Sequence, residues 1–157
     1  MILHRNLHKD SRMVTCSSKK LCDKNKHKKY VMNVKAGGQS LWEKKKYVAY
    51  VGTYTHGTSK GIQVYDVDVE NGTLTERSEV EVSNASHLAV SKNGKYLYSI
   101  EDEGVAVFER DENGDLSRIN SVDINGMRGC YLATDVDGRY LYVAGYHDGK
   151  VTVVHIT

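Results

Sequence analysis

From Tyr47 onward the chain is a succession of short runs rich in Tyr, Val, Ile and Thr, many alternating with polar residues. Alternation of period two puts every second side chain on one face of an extended strand. Ten candidate strands follow, over residues 47–54, 61–67, 73–82, 87–91, 96–101, 105–110, 116–124, 131–135, 140–146 and 151–156. Between them stand Asn71-Gly72, Asn93-Gly94, Asn113-Gly114, Asp137-Gly138 and Asp148-Gly149. Such pairs tolerate positive φ at both positions of a tight hairpin turn, so they predict an antiparallel meander. No stretch after Tyr47 keeps a helical period.

The runs repeat. Asn93-Gly94-Lys95-Tyr96-Leu97-Tyr98 returns 44 residues later as Asp137-Gly138-Arg139-Tyr140-Leu141-Tyr142. Asn71-Gly72-Thr73-Leu74 returns after 42 as Asn113-Gly114-Asp115-Leu116, and Gly61-Ile62-Gln63-Val64-Tyr65 has its partner in Gly104-Val105-Ala106-Val107-Phe108. A unit of roughly 40–45 residues with four short strands is the signature of a β-propeller blade. A sandwich also uses short strands, but needs no self-similarity at this period. The expected fold is all-β, a partial β-propeller of about two and a half blades.

Residues 1–46 break the pattern. They hold 13 Lys and Arg against three acids, a net charge of +10, whereas the rest of the 157-residue chain carries −8. Their apolar residues are scattered and follow no period, so the segment buries too little surface to offset its conformational entropy and is expected to be disordered. The chain therefore divides into a basic segment, 1–46, and a strand-rich unit, 47–157. Phosphate neutralisation by this segment would give weak nucleic-acid binding at low salt. With only Tyr30 and Trp42 as stacking residues, no specific nucleic-acid recognition is expected.

Cys16, Cys22 and Cys130 are too few and too scattered for a disulfide framework. No apolar run reaches the roughly 18 residues of a membrane helix, and no export signal opens the chain. The expectation is a cytoplasmic protein with reduced thiols and no membrane partner. Cys16, Cys22 and His27 do not match zinc-ligand spacing, so no metal or cofactor is expected.

Tyr50-Val51-Gly52-Thr53-Tyr54-Thr55 followed by Gly61-Ile62-Gln63-Val64-Tyr65 resembles the opening of the seven-bladed lactonase family, which includes the propeller-type 6-phosphogluconolactonases. The match runs on through Leu88 to Tyr98, Cys130-Tyr131-Leu132, Asp137 to Tyr146 and Gly149 to Val153, and covers none of residues 1–46. Two departures stand out. Gly129-Cys130-Tyr131 occupies the place of the family's Pro-Cys-His element, and Gly145-Tyr146 that of its Asn-Tyr. The family's later Arg-His-bearing blade segment has no counterpart.

The resemblance implies metal-free hydrolysis of a phosphorylated sugar lactone, 6-phosphogluconolactone, in the oxidative pentose phosphate route. That chemistry needs a cation for the phosphate, a base for water and donors for the oxyanion. The matching positions are His87 and Tyr131 at inner-strand starts, Arg128 in the loop before Tyr131, and Glu101 and His147 at strand ends. Bland alternatives stand beside each: packing for His87 and Tyr131, a surface hydrogen bond for Arg128, a solvated turn for Glu101-Asp102-Glu103. Gly57-Thr58-Ser59-Lys60-Gly61 matches the Gly-x-Ser-x-Gly pattern, but it joins two strands where a nucleophile needs a strand-to-helix elbow. The chain is thus expected to be lactonase-like and inactive alone, the alternative being a non-catalytic propeller remnant or interaction module. Open blade edges predict self-association.

Overall fold

Strand alternation is realised throughout the repeat region in the computed structural model, which describes residues 2–5, 14–15 and 47–157. The elements are β1 (Ile2–Arg5), β2 (Val14–Thr15), β3 (Tyr47–Gly52), β4 (Gly61–Asp68), β5 (Thr73–Glu81), β6 (Leu88–Val90), β7 (Tyr96–Glu101), β8 (Gly104–Arg110), β9 (Leu116–Asp123), β10 (Tyr131–Thr134), β11 (Tyr140–Ala144) and β12 (Val151–His155). All ten candidate strands are present, with ends shifted by a few residues. There is no helix among the described residues, and none long and apolar enough to cross a membrane. Three antiparallel sheets form, in the orders β2-β1-β3-β4-β5, β6-β7-β8-β9 and β10-β11-β12.

The first sheet holds more than the repeat predicts. Within the basic segment Ile2–Arg5 and Val14–Thr15 are strands, with Ile2 opposite Tyr50 and Arg5 opposite Tyr47. The inner edge of β3 offers a row of backbone donors and acceptors, and β1 pairs with it as β6 pairs with β7. The disorder expected for the rest of residues 1–46, and Cys16, Cys22 and His27 within it, lie outside the described residues.

The core lies between the sheets. Because strand side chains alternate, the middle sheet has two apolar faces. Leu97, Ala106 and Phe108 pack with Val48, Tyr50, Ile62 and Val64 of the first sheet. Tyr98, Ile100 and Val105 pack with Leu132, Leu141 and Val143 of the third. A buried polar contact crosses the first junction: Arg110 donates from Nε to the Tyr50 hydroxyl at 2.9 Å and, within its own sheet, from Nη1 to the Gly94 carbonyl. The Tyr50 hydroxyl donates in turn to the Gly114 carbonyl, and burial raises its phenol pKa.

The turns depart from the expected geometry. Gly72, Gly94, Gly114 and Gly138 have positive φ, but the preceding Asn71, Asn93, Asn113 and Asp137 do not. The residue opening each turn explains this. Gly94 and Gly138 donate to the Ser91 and Asp135 carbonyls three residues back, closing type I turns with a left-handed glycine at the end. The Asp135 carboxylate then accepts the amides of Arg139 and Tyr140 at 2.6 and 2.8 Å. A bulge between Val64 and Tyr65 in the first sheet recurs between Val107 and Phe108 in the second, its repeat partner.

Tyr98 and Tyr142 are repeat partners in different surroundings: Tyr98 is buried under the third sheet, whereas Tyr142 lies on that sheet's open face, 41% exposed. Tyr98→Ala is expected to cost about 3 kcal/mol and Tyr142→Ala under about 1 kcal/mol, read as shifts in urea midpoint. The open face also carries Val151 and Val153. Light scattering across a concentration series should show self-association, reduced by Tyr142→Glu with Val153→Lys.

Candidate active site

The meander sends five connections to one end of the three sheets: β3–β4, β5–β6, β7–β8, β9–β10 and β11–β12. Four of the five Asx-Gly turns lie at the opposite end, and Asp148-Gly149 is the exception. Tight turns thus close one end, while longer loops with chemically useful side chains gather at the other. Four of the five candidate residues flank or lie within these loops, and Glu101 ends β7 beside one.

His87 and Tyr131 introduce the inner strands β6 and β10 and meet across the second junction. Their ring centroids are 4.4 Å apart at an angle of 50°. The Leu132 amide donates to His87 Nδ1 at 3.4 Å. In the neutral imidazole the proton then resides on Nε2, which makes His87 a hydrogen-bond donor. Burial lowers its pKa and favours this neutral form.

Arg128 belongs to a second grouping. Its Nη1 donates to Asp102 Oδ1 at 2.9 Å, and its guanidinium lies 5.2 Å from the centroid of Tyr54. Tyr54 stacks in turn near His56, with centroids 6.0 Å apart. Asp102 also accepts both hydrogen bonds of the Asn84 carboxamide, at 2.8 and 3.0 Å. The Asn84 oxygen accepts the Thr55 amide at 3.0 Å. Hydrogen bonding from Asn84, then from Arg128, holds the Asp102 pKa below the usual carboxylate range.

Glu101 and His147 do not join either grouping. Glu101 shares the strand face of Leu97 and pairs with Arg118 at 2.9 Å, in a cleft between the first and second sheets that also contains Lys60 and Glu81. His147 is exposed and sits edge-on to Tyr146, 5.4 Å away. Ser59 of the Gly-x-Ser-x-Gly stretch lies in the β3–β4 connection and hydrogen-bonds to Thr53 and Glu79. Among the described residues no cluster of three or more His, Cys, Asp or Glu is placed to hold a metal ion.

Sequence reasoning missed Asn84, Asp102 and Tyr54. Asp102 reads as a solvated turn until its partners, distant in the chain, are brought to it. Asn84 adopts φ of 49° while buried. Asparagine is among the few residues that enter the left-handed region readily, but nothing in Ser83-Asn84-Ala85 marks that conformation in advance.

Comparison with known proteins decides the family. The model of the family described as lactonase, 7-bladed beta-propeller, matches residues 48–157. The chain belongs to this lactonase family. The 6-phosphogluconolactonase of Bacillus subtilis is 39% identical over 114 residues, covering 69% of this chain and 33% of the relative. That of Formosa agariphila is 35% identical over 118 residues, covering 68% and 33%. The structure of the Pseudomonas aeruginosa periplasmic gluconolactonase superposes with a TM-score of 0.66 at 29% identity, covering 71% of this chain and 35% of that one. The chain spans about a third of the length of the curated relatives it matches.

The lowered pKa of His87 has a signed consequence for stability. The unfolded chain binds a proton there more readily than the folded chain does, so stability falls as pH drops below about 6.5. Unfolding midpoints between pH 7.5 and 5 should fall more steeply for the native chain than for His87→Gln. Equal slopes would show that His87 is solvated.

Proposed function

We propose that this chain carries the ligand-facing part of a lactone-hydrolysing site of 6-phosphogluconolactonase type. The observation that carries the reading is His87, whose Nδ1 accepts the Leu132 amide, set beside the Tyr131 ring at an inner-strand start. Two donors of this kind suit the oxyanion that forms when water attacks a lactone carbonyl. In that step a bond forms from water oxygen to the carbonyl carbon, the ring C–O bond breaks, and a proton passes to the departing alkoxide. Arg128 supplies the positive charge for a phosphate, beyond the reacting carbon.

No base is assigned to the described residues. His87 accepts the Leu132 amide at the nitrogen a base would use, Asp102 is held by Asn84 and Arg128, and Glu101 is paired with Arg118. The reading is therefore binding without acceleration for this chain alone, with its setting cytoplasmic and its route the oxidative pentose phosphate sequence. The alternative, an interaction module, draws on the exposed face of Tyr142, Val151 and Val153.

Residues 1–157 should bind 6-phosphogluconate, with affinity reduced about tenfold or more by Arg128→Ala. The same protein should hydrolyse 6-phosphogluconolactone at the buffer rate. Absence of product binding by calorimetry defeats the site reading. A rate above buffer that His87→Gln abolishes would overturn the reading of binding without acceleration and show that these blades catalyse on their own.

A further inference from the structure

The contacts of Arg128 form a closed circuit through four loop-end connections. Thr55, in the connection after β3, donates its amide to Asn84 Oδ1 at 3.0 Å. Asn84 precedes β6 and donates to both oxygens of Asp102 in the β7–β8 turn, and Asp102 accepts Arg128 from the loop before β10. The Arg128 guanidinium returns to the first sheet at Tyr54, next to Thr55 in the chain, where the circuit closes.

Three properties set this circuit apart from a surface ion pair. First, Asn84 is only 6% exposed and is held at φ 49°, so a buried residue in an uncommon conformation aims its amide at the carboxylate. Second, Asp102 accepts Asn84 at both carboxylate oxygens and Arg128 at Oδ1, so the carboxylate that meets the arginine is itself held. Third, Arg128 spends only Nη1 on Asp102: among the described residues its Nη2 and Nε make no protein hydrogen bond, and its side chain keeps 25% of its surface exposed. An arginine held by a carboxylate at one nitrogen and lying over an aromatic ring has its side chain steered from two points, which restricts where its remaining donors can go. Nη2 and Nε form the edge that takes two oxygens of one anion in parallel.

We propose that Asn84 and Asp102 are positioning residues that hold Arg128 as a receptor for a phosphate-class oxyanion. This rests on the lactonase reading for its substrate class but not for its geometry. The carboxylate has two opposed effects. Its charge weakens the field at Arg128, while its hydrogen bond removes the rotamer freedom that a free arginine loses on binding. Positioning predicts that the second effect wins, so the sign of the change on removing the charge decides the matter.

The test follows the Arg128 Nε–Hε resonance of the full chain by NMR. Inorganic phosphate is added at constant ionic strength, with chloride as the control. The native chain should show a saturable shift with phosphate and none with chloride. Asp102→Asn should weaken phosphate binding about tenfold. Asn84→Gly, which accepts the same φ but lacks the carboxamide, should weaken it several-fold; in Arg128→Lys, followed through the Gly129 backbone amide because the Nε–Hε group is gone, saturation should be abolished although the charge remains. If Asp102→Asn does not fold, Tyr54→Leu removes the stacking platform and should give the same several-fold loss.

Tighter phosphate binding by Asp102→Asn would make the carboxylate a competitor and overturn the proposal. Unchanged affinity with a lowered thermal midpoint would reduce the circuit to an inter-sheet staple and also overturn it. A native Arg128 resonance indifferent to phosphate overturns it outright. The parallel 6-phosphogluconate titration separates the two readings. Phosphate binding at Arg128 without product binding defeats the lactonase site alone, whereas product binding untouched by Asp102→Asn defeats the positioning role alone.

Discussion

Leu97 and Phe108 turn toward one neighbouring sheet, while Tyr98, Ile100 and Val105 turn toward the other. Both faces of the middle sheet are therefore apolar, and neither can be left in water without a large cost in free energy. Everything else in the molecule follows from satisfying that demand by stacking. Stacking sets the sheets side by side with their strands in matching directions, which brings every second connection to the same end. His87 meets Tyr131, and Asn84 meets Asp102 and Arg128, because the sheets beneath them are pressed together.

The same demand explains why chemically similar residues have different environments. Tyr98 and Tyr142 occupy one place in the repeat, yet one supports a junction and the other faces outward. Position in the stack decides burial, while local sequence decides only which face a side chain takes. Gly104 shows how tight the stacked arrangement becomes within a sheet. A Cβ added there would stand 1.9 Å from the Val122 carbonyl oxygen, so β9 closes on β8 only because that side chain is missing.

Much of this was legible in the amino-acid pattern. Alternation located every strand from Tyr47 onward, and the returning Tyr-Leu-Tyr unit located the sheets. The turn geometry was read wrongly because Asn-Gly was treated as a self-sufficient pair. In fact Ser91 and Asp135, at the other end of each turn, supply the hydrogen bonds that fix it. The position of Glu101 was also within reach: it shares the parity of Leu97, so it faces the first sheet and Arg118 rather than the loop-end grouping. The Asn84–Asp102–Arg128 contacts were not legible. Their members are 18 and 26 residues apart, and no local period links them. The pairing of β1 with β3 was hidden for a different reason, since four residues are too few to show alternation against a basic background.

The recurrence of the bulge at Val64/Tyr65 and Val107/Phe108 bears on how sheets of this kind come to fit one another. A bulge adds right-handed twist at the point where it falls. Twist placed at the same depth in successive sheets gives them the same curvature, so each nests on the last as identical saddles do. The irregularity is then part of the shape the first two sheets share rather than a flaw. Because the bulge recurs at the same place in the repeat, a sheet copied without it would carry the same residues on a less twisted surface.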